Sequence, residues 1–265
     1  MIAGVSTACF YPAPLEESLY DLAVNGVQCT EIFFNTQSEI EKGYVSGLAQ
    51  LLKRFDMRCV SVHPFTSELE TLMFFSDYER RYADSIEYYK KYFEAMNILG
   101  ADIFVFHGGK AARNKEFFCE RYSRLLNTGK EFGIKVALEN VSRCQSGSSA
   151  FIRDAADMLG DEFAFVLDTK QAVRAGEDPF RFLEAAGKHT AHVHISDCGE
   201  MGDCLLVGRG RFRFRDFFAK LSGYNPDCSI VLELYRSGWK AISDIISSCN
   251  ALGKMTAPYS KEHRV

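Results

Sequence analysis

The sequence has nine cysteines and no Cys-x-x-Cys pair among them. An odd count, scattered from Cys9 to Cys249, excludes a disulfide framework as the main character of the chain. It is the usage of a reducing compartment, with cysteine serving as a small core residue. No apolar run approaches the roughly 18 residues of a membrane span. The start, Met1-Ile2-Ala3-Gly4-Val5-Ser6, has no cationic region leading into a long apolar stretch, so no signal peptide is read. A cytoplasmic protein with no membrane partner is therefore expected. A basic excess is also missing. Lysine and arginine number 31 against 35 aspartates and glutamates, a net charge of −4. Affinity built on phosphate neutralisation usually shows a basic excess or stripe, so nucleic acid is not an expected partner. There is no linker and no low-complexity segment.

What the chain does have is average globular usage, 47% hydrophobic and 25% charged over 265 residues. That length suits one large barrel, read as a single domain over 1–265. Short β-rich runs recur with helical stretches between them: Ile2–Ser6, Gln28–Phe33, Arg58–His63, Asp102–His107, Ile134–Glu139, Phe163–Asp168, Thr190–Ile195 and Ser229–Leu234. Eight strand–helix units predict an α/β fold, a closed (β/α)8 TIM barrel, with an open doubly wound sheet as the alternative. Between them Leu15–Val24, Ser76–Leu99 and Asn114–Phe132 read as helices, the second carrying Tyr78, Tyr82, Ile86, Tyr89, Phe93 and Met96 at helical spacing. Gly100 is a plausible helix stop. The segment 258–265 reads as a loose tail.

In a barrel strand alternate side chains face inward, and the C-terminal ends carry chemistry. In six runs the large apolar residues take one phase. The opposite phase ends in His63, His107, Glu139, Asp168, His194 and Glu233. Three imidazoles and three carboxylates belong to the metal-ligand and acid–base repertoire. Converging on one mouth, the carboxylates would repel unless neutralised, and a divalent cation is the simplest neutraliser. Each residue alone reads more simply as a loop cap or a satisfied core histidine; the coincidence of six carries the inference. His192 lies one layer deeper, while His189 and His263 read as surface residues. Glu31 ends the second strand, as a binder of substrate hydroxyl or as a structural ion pair. Arg209, in Gly208-Arg209-Gly210, is a candidate substrate contact. Phe65, Phe74 and Phe75 fall in a loop that would act as a lid or as an apolar patch for a second copy. Trp239 reads as packing, or as a platform for a sugar face.

At these residues the chain resembles the xylose-isomerase-like barrels, a superfamily of sugar and sugar-phosphate isomerases and epimerases that also includes the endonuclease-IV-type enzymes. The segments that carry the resemblance are Ser61-Val62-His63-Pro64, Val105-Phe106-His107-Gly108-Gly109, Leu138-Glu139-Asn140, Leu167-Asp168-Thr169, Val193-His194-Ile195-Ser196-Asp197, Gly208-Arg209-Gly210 and Leu232-Glu233-Leu234. They span nearly the whole chain in order. The resemblance implies one divalent ion (Mn, Co, Mg or Zn) held by Glu139, Asp168, His194 and Glu233. Glu139 and Glu233 would also move the protons of a carbohydrate substrate as catalytic residues. His63, His107, Arg209 and Glu31 are then the expected substrate-binding residues, with His63 and His107 near the metal but not ligating it.

In the endonuclease branch His63 and His107 would join Glu139 around a second zinc. A third zinc would need a histidine where this chain has Gln171, and an Asp-x-His where it reads Gly202-Asp203-Cys204-Leu205. The trinuclear set is broken. The expected function is a metal-dependent isomerase or epimerase acting on a sugar or sugar phosphate. A phosphodiester hydrolase and a catalytically degenerate binding protein are the alternatives, and a homo-oligomer is compatible with either outcome.

Overall fold

The computed structural model describes residues 1–259. Eight parallel strands close into a barrel: β1 (Ile2–Ser6), β2 (Cys29–Phe33), β3 (Arg58–His63), β4 (Ile103–Phe106), β5 (Lys135–Glu139), β6 (Phe165–Asp168), β7 (Thr190–Ile195) and β10 (Ser229–Leu232), with β1 pairing both β2 and β10. A short antiparallel hairpin, β8 (Asp197–Gly199) and β9 (Gly202–Leu205), follows β7 at the mouth. The helices α1 (Leu15–Val24), α2 (Lys42–Arg54), α3 (Glu70–Phe74), α4 (Glu79–Leu99), α5 (Lys115–Glu131), α6 (Ser149–Leu159), α7 (Thr169–Arg174), α8 (Pro179–Ala186), α9 (Phe214–Tyr224) and α10 (Ile242–Thr256) surround the barrel. This is the closed barrel that the strand rhythm predicts, and the open sheet is excluded.

Two apolar layers follow from the strand period. Outward residues such as Val62, Phe104, Phe106, Leu138, Leu167, Val193 and Leu232 pack under the helices. Small inward residues fill the barrel itself, with Val105, Ala137 and Val166 in one cluster and Cys29, Val60 and Val231 in another. The alternation is broken twice. In β3, Thr30 pairs Cys59 while Glu31 pairs Ser61, so Val60 is an extra residue; β7 has the same irregularity at Ala191. A bulge adds one residue and resets the phase. Strict alternation, counted back from His63 and His194, puts Cys59 and Thr190 inside. Instead Val60 and Ala191 join the interior clusters, Cys59 packs in the outer layer, and the Thr190 hydroxyl donates to Ala186 O. Downstream of each bulge, Ser61, His63, His192 and His194 point inward as the reading requires.

α4 stops at Gly100 in the left-handed region (φ 73°), which glycine adopts without the Cβ penalty. Tyr82, Tyr89, Phe93 and Met96 of its stripe are buried, whereas Tyr78 precedes the helix and is exposed. The tail read from residue 258 is corrected at its start. Residues 257–259 form a last helical turn, and the remainder, with His263, lies outside the described residues.

Candidate metal centre and active site

Glu139, Asp168, His194 and Glu233 meet at the C-terminal mouth, each offering a ligand atom within 4.8 Å of the others. Glu139 and Asp168 are the last residues of β5 and β6, and Glu233 directly follows β10. Asn140 locks the β5 and β6 ends together: its amide donates to Asp168 O at 2.9 Å, and Asp168 N donates to its Oδ1 at 2.7 Å. His194 Nδ1 faces all three carboxylates, 3.1 Å from Glu139, 3.7 Å from Glu233 and 3.9 Å from Asp168. Glu139, Asp168 and His194 are deeply buried, and the Glu233 side chain is 11% exposed.

The donor set fits a divalent ion. Asp168 Oδ2 and Glu139 Oε2 are buried oxygens without a well-aligned hydrogen bond, although Lys170 Nζ lies 3.3 Å from the first and His107 Nε2 2.9 Å from the second. A buried carboxylate oxygen without a donor is costly unless a cation meets it. Burial is also the largest influence on Asp168, and with Glu233 and Glu139 beside it pushes the carboxyl up to about 7 despite the ammonium of Lys170. For Glu139 burial works the same way, but His107 and His194 outweigh it and hold the group well below the usual carboxylate range.

His63 and His107 form a second arm. Their Nε2 atoms lie 2.9 Å apart, and His107 Nε2 reaches Glu139. Burial, then repulsion from His107, pulls His63 down to about 4, so it is a neutral imidazole at physiological pH. Burial opposes charge on His107 too, but Glu139 outweighs it and raises the group. With Glu139 the two imidazoles form a further three-residue cluster of ligand-type groups. Phe33 packs on His63 with ring centroids 4.9 Å apart, and Tyr11 on Phe33 at 6.5 Å, giving this side of the mouth an aromatic wall.

Two expectations need correction, and the two readings of Glu31 are separated. Glu31 has the geometry of the structural ion pair. It is fully buried and accepts from Ser6 Oγ at 2.9 Å and Ser61 Oγ at 2.8 Å, while His194 Nε2 lies 2.9 Å and His192 Nε2 3.3 Å away. Its carboxylate is saturated from below, and it fixes His194 with Nδ1 turned to the other carboxylates. In the Phe65, Phe74 and Phe75 segment Phe74 and Phe75 are buried and so form no exposed patch, while Phe65 is half-buried. It folds into a 3-10 turn (Phe65–Leu69) and α3. Phe74 packs edge-on against Tyr89 at 4.7 Å, and Phe75 stacks on Phe118 at 4.6 Å. Glu70 anchors the segment by accepting from His107 N and Gly108 N, both at 2.8 Å. His189 is half-buried rather than a surface residue, its Nδ1 3.1 Å from Phe163 O.

Arg209 is exposed on its glycine loop. The loop itself is held by Asp197, which accepts from the backbone N–H groups of Cys198, Gly208, Gly210 and Phe212 at 2.8–2.9 Å. A Cβ at position 210 would fall 2.3 Å from Cys198 O, so only glycine allows this approach. Trp239 is buried against Phe10, its indole N–H donating to Cys9 O at 3.0 Å, which is the packing role.

The strand-end reading misses Lys170. Its ammonium lies 2.5 Å from Glu233 Oε2 and 3.3 Å from Asp168 Oδ2, with the side chain 5% exposed. It enters from the first turn of α7, two residues beyond the strand end, where period-two alternation has no reach. The available signal is a lysine in a helix's first turn, where the dipole favours anions.

The fold recurs in solved structures. A D-tagatose 3-epimerase-like protein superposes over 100% of both chains with a TM-score of 0.79 at 20% identity. A D-psicose 3-epimerase from Clostridium cellulolyticum H10 gives 0.77 at 15% identity, over 97% of this chain and 98% of that one. A sugar phosphate isomerase/epimerase from Parabacteroides distasonis ATCC 8503 gives 0.72 at 20% identity, over 98% and 95%. Among curated proteins none matches the sequence. The family model described as xylose isomerase-like TIM barrel matches residues 19–254, and the chain belongs to that family.

Proposed function

We propose that this protein is a divalent-metal-dependent isomerase or epimerase acting on a sugar or sugar phosphate, with Glu139 and Glu233 moving the protons. The observation that carries the reading is the buried convergence of Glu139, Asp168, His194 and Glu233 at the barrel mouth. These four would hold the ion, which when bound polarises a substrate carbonyl and acidifies the neighbouring carbon. A carboxylate on one side would take a proton from that carbon. For epimerisation a carboxyl on the other side gives its own proton to the opposite face of the same carbon; for isomerisation the first group returns the proton to the neighbouring carbon. Glu139 and Glu233 come from non-adjacent strands and flank His194, which suits that division. His63 and His107 would bind substrate oxygens, His63 as a neutral imidazole, with Phe33 and Tyr11 beside the apolar face of the sugar. The structural relatives described as epimerases and a sugar phosphate isomerase/epimerase support the carbohydrate class.

The hydrolase alternative loses ground at Gln171. Its Oε1 accepts from Ser142 N at 3.1 Å and Ser142 Oγ at 2.9 Å, so it ties two loops together. The reading is tested by incubating the Mn2+-loaded protein with D-tagatose, D-fructose, L-ribulose and their phosphates. Epimer or isomer should form from at least one, and Asp168→Ala should abolish turnover and weaken Mn2+ binding by more than about 100-fold. Cleavage of DNA bearing abasic sites, with every sugar inert, would sink it.

A further inference from the structure

Lys170 is a buried cation inside the cluster to which the metal is assigned, and the inference drawn from it rests on that assignment. A buried ammonium persists only when paired. Lys170 has Glu233 at 2.5 Å and Asp168 at 3.3 Å, and its Nζ sits 5.0 Å from the centre of the Tyr235 ring. Arg174, one turn further along α7, lies 4.9 Å from the same ring but is engaged by Asp203 and the Tyr235 hydroxyl. Lys170 is thus the cation committed to the carboxylates.

Charge counting gives this position a consequence. Glu139, Asp168 and Glu233 carry three negative charges against two on a divalent ion, with His194 ligating as a neutral imidazole. Glu31 lies behind His194, and His107 against Glu139. For the ligands themselves, the charged group in contact with two of the carboxylates, Lys170, decides whether the third negative charge is balanced.

We propose that Lys170 is the resident cation of the site, balancing the third ligand carboxylate so that the ion, its four ligands and Lys170 together carry no net charge, and thereby lowering the affinity for the divalent ion. A neutral centre accepts the negative charge that develops on a substrate oxygen during proton abstraction, whereas an anionic one opposes it. The design gives up some metal affinity in return. A purely structural lysine would act in the opposite direction, because removing it would loosen Asp168 and Glu233 and weaken metal binding.

The experiment is a Mn2+ titration of chelator-stripped wild type, Lys170→Met and Lys170→Gln, read by competition with a fluorescent chelator. Circular dichroism verifies folding, and the glutamine variant, whose amide can still donate to Glu233, serves if the methionine variant fails to fold. Removing the like charge should tighten Mn2+ binding by about tenfold or more. Mn2+ bound by a variant but not by wild type would support the proposal equally. Equal or weaker binding in the folded variant overturns it while leaving the metal assignment standing. Mn2+ bound by none of the three proteins overturns both.

Discussion

At the scale of single residues, the site separates groups that would hold a cation from groups that would hold substrate. Burial keeps His63 neutral, and His107 is shared between His63 and Glu139. The carboxylate-rich set should therefore win the first metal, because more negative charge there needs neutralising. His63→Ala and His107→Ala should retain one tightly held Mn2+ per chain while turnover falls by about 100-fold or more, the scale of losing a positioned polar group. Metal analysis of each purified variant beside its kinetics distinguishes the roles. Two tightly bound ions in wild type, with one lost in both variants, would make the imidazoles ligands.

At the scale of elements, β7 shows how loops are fixed to strands. Asp197 begins the β8–β9 hairpin and gathers four backbone N–H groups, three of them from the 208–212 loop. Hydrogen bonds to a charged acceptor are the stronger kind, and orphaned donors add a desolvation cost. Asp197→Ala should lower unfolding free energy by roughly 3 kcal/mol, and Asp197→Asn should recover part of it. Urea denaturation measures both, and a loss below about 1 kcal/mol for alanine would mean that the loop holds itself. The same scale shows where sequence reading stops. The strand-end ligands were legible because period two is a property of the chain alone. The bulges at Val60 and Ala191 were not, since a bulge is a relation between two strands. α3 was read as loop because five residues are too few to show a helical period, and its burial comes from aromatic neighbours far along the chain.

At the scale of the whole molecule, the closed barrel followed from eight repeats of one unit, so errors of a residue or two at strand ends left the topology unchanged. What the repeat does not encode is the charge buried outside the inward phase, and Glu70 is the clearest case. Burial is the largest influence on it and pushes its carboxyl from 4.5 up to about 8, against His107 and the donors around it. Between those values the folded chain holds a proton that the unfolded chain has released. The stability that Glu70 contributes is therefore complete below about pH 4.5 and declines as the pH rises to about 8. Other buried groups titrate in the same window, so the informative quantity is the difference between wild type and Glu70→Gln. A glutamine can accept from His107 N and Gly108 N through its oxygen and donate to Tyr89, but it cannot ionise. Wild type should lose more unfolding free energy than Glu70→Gln between pH 5 and about pH 8, with the variant's relative stability rising steadily over that range. Urea denaturation at several pH values gives the comparison. Parallel curves would mean that Glu70 titrates alike in the folded and unfolded chains, and that the donors from β4's end fully compensate its burial.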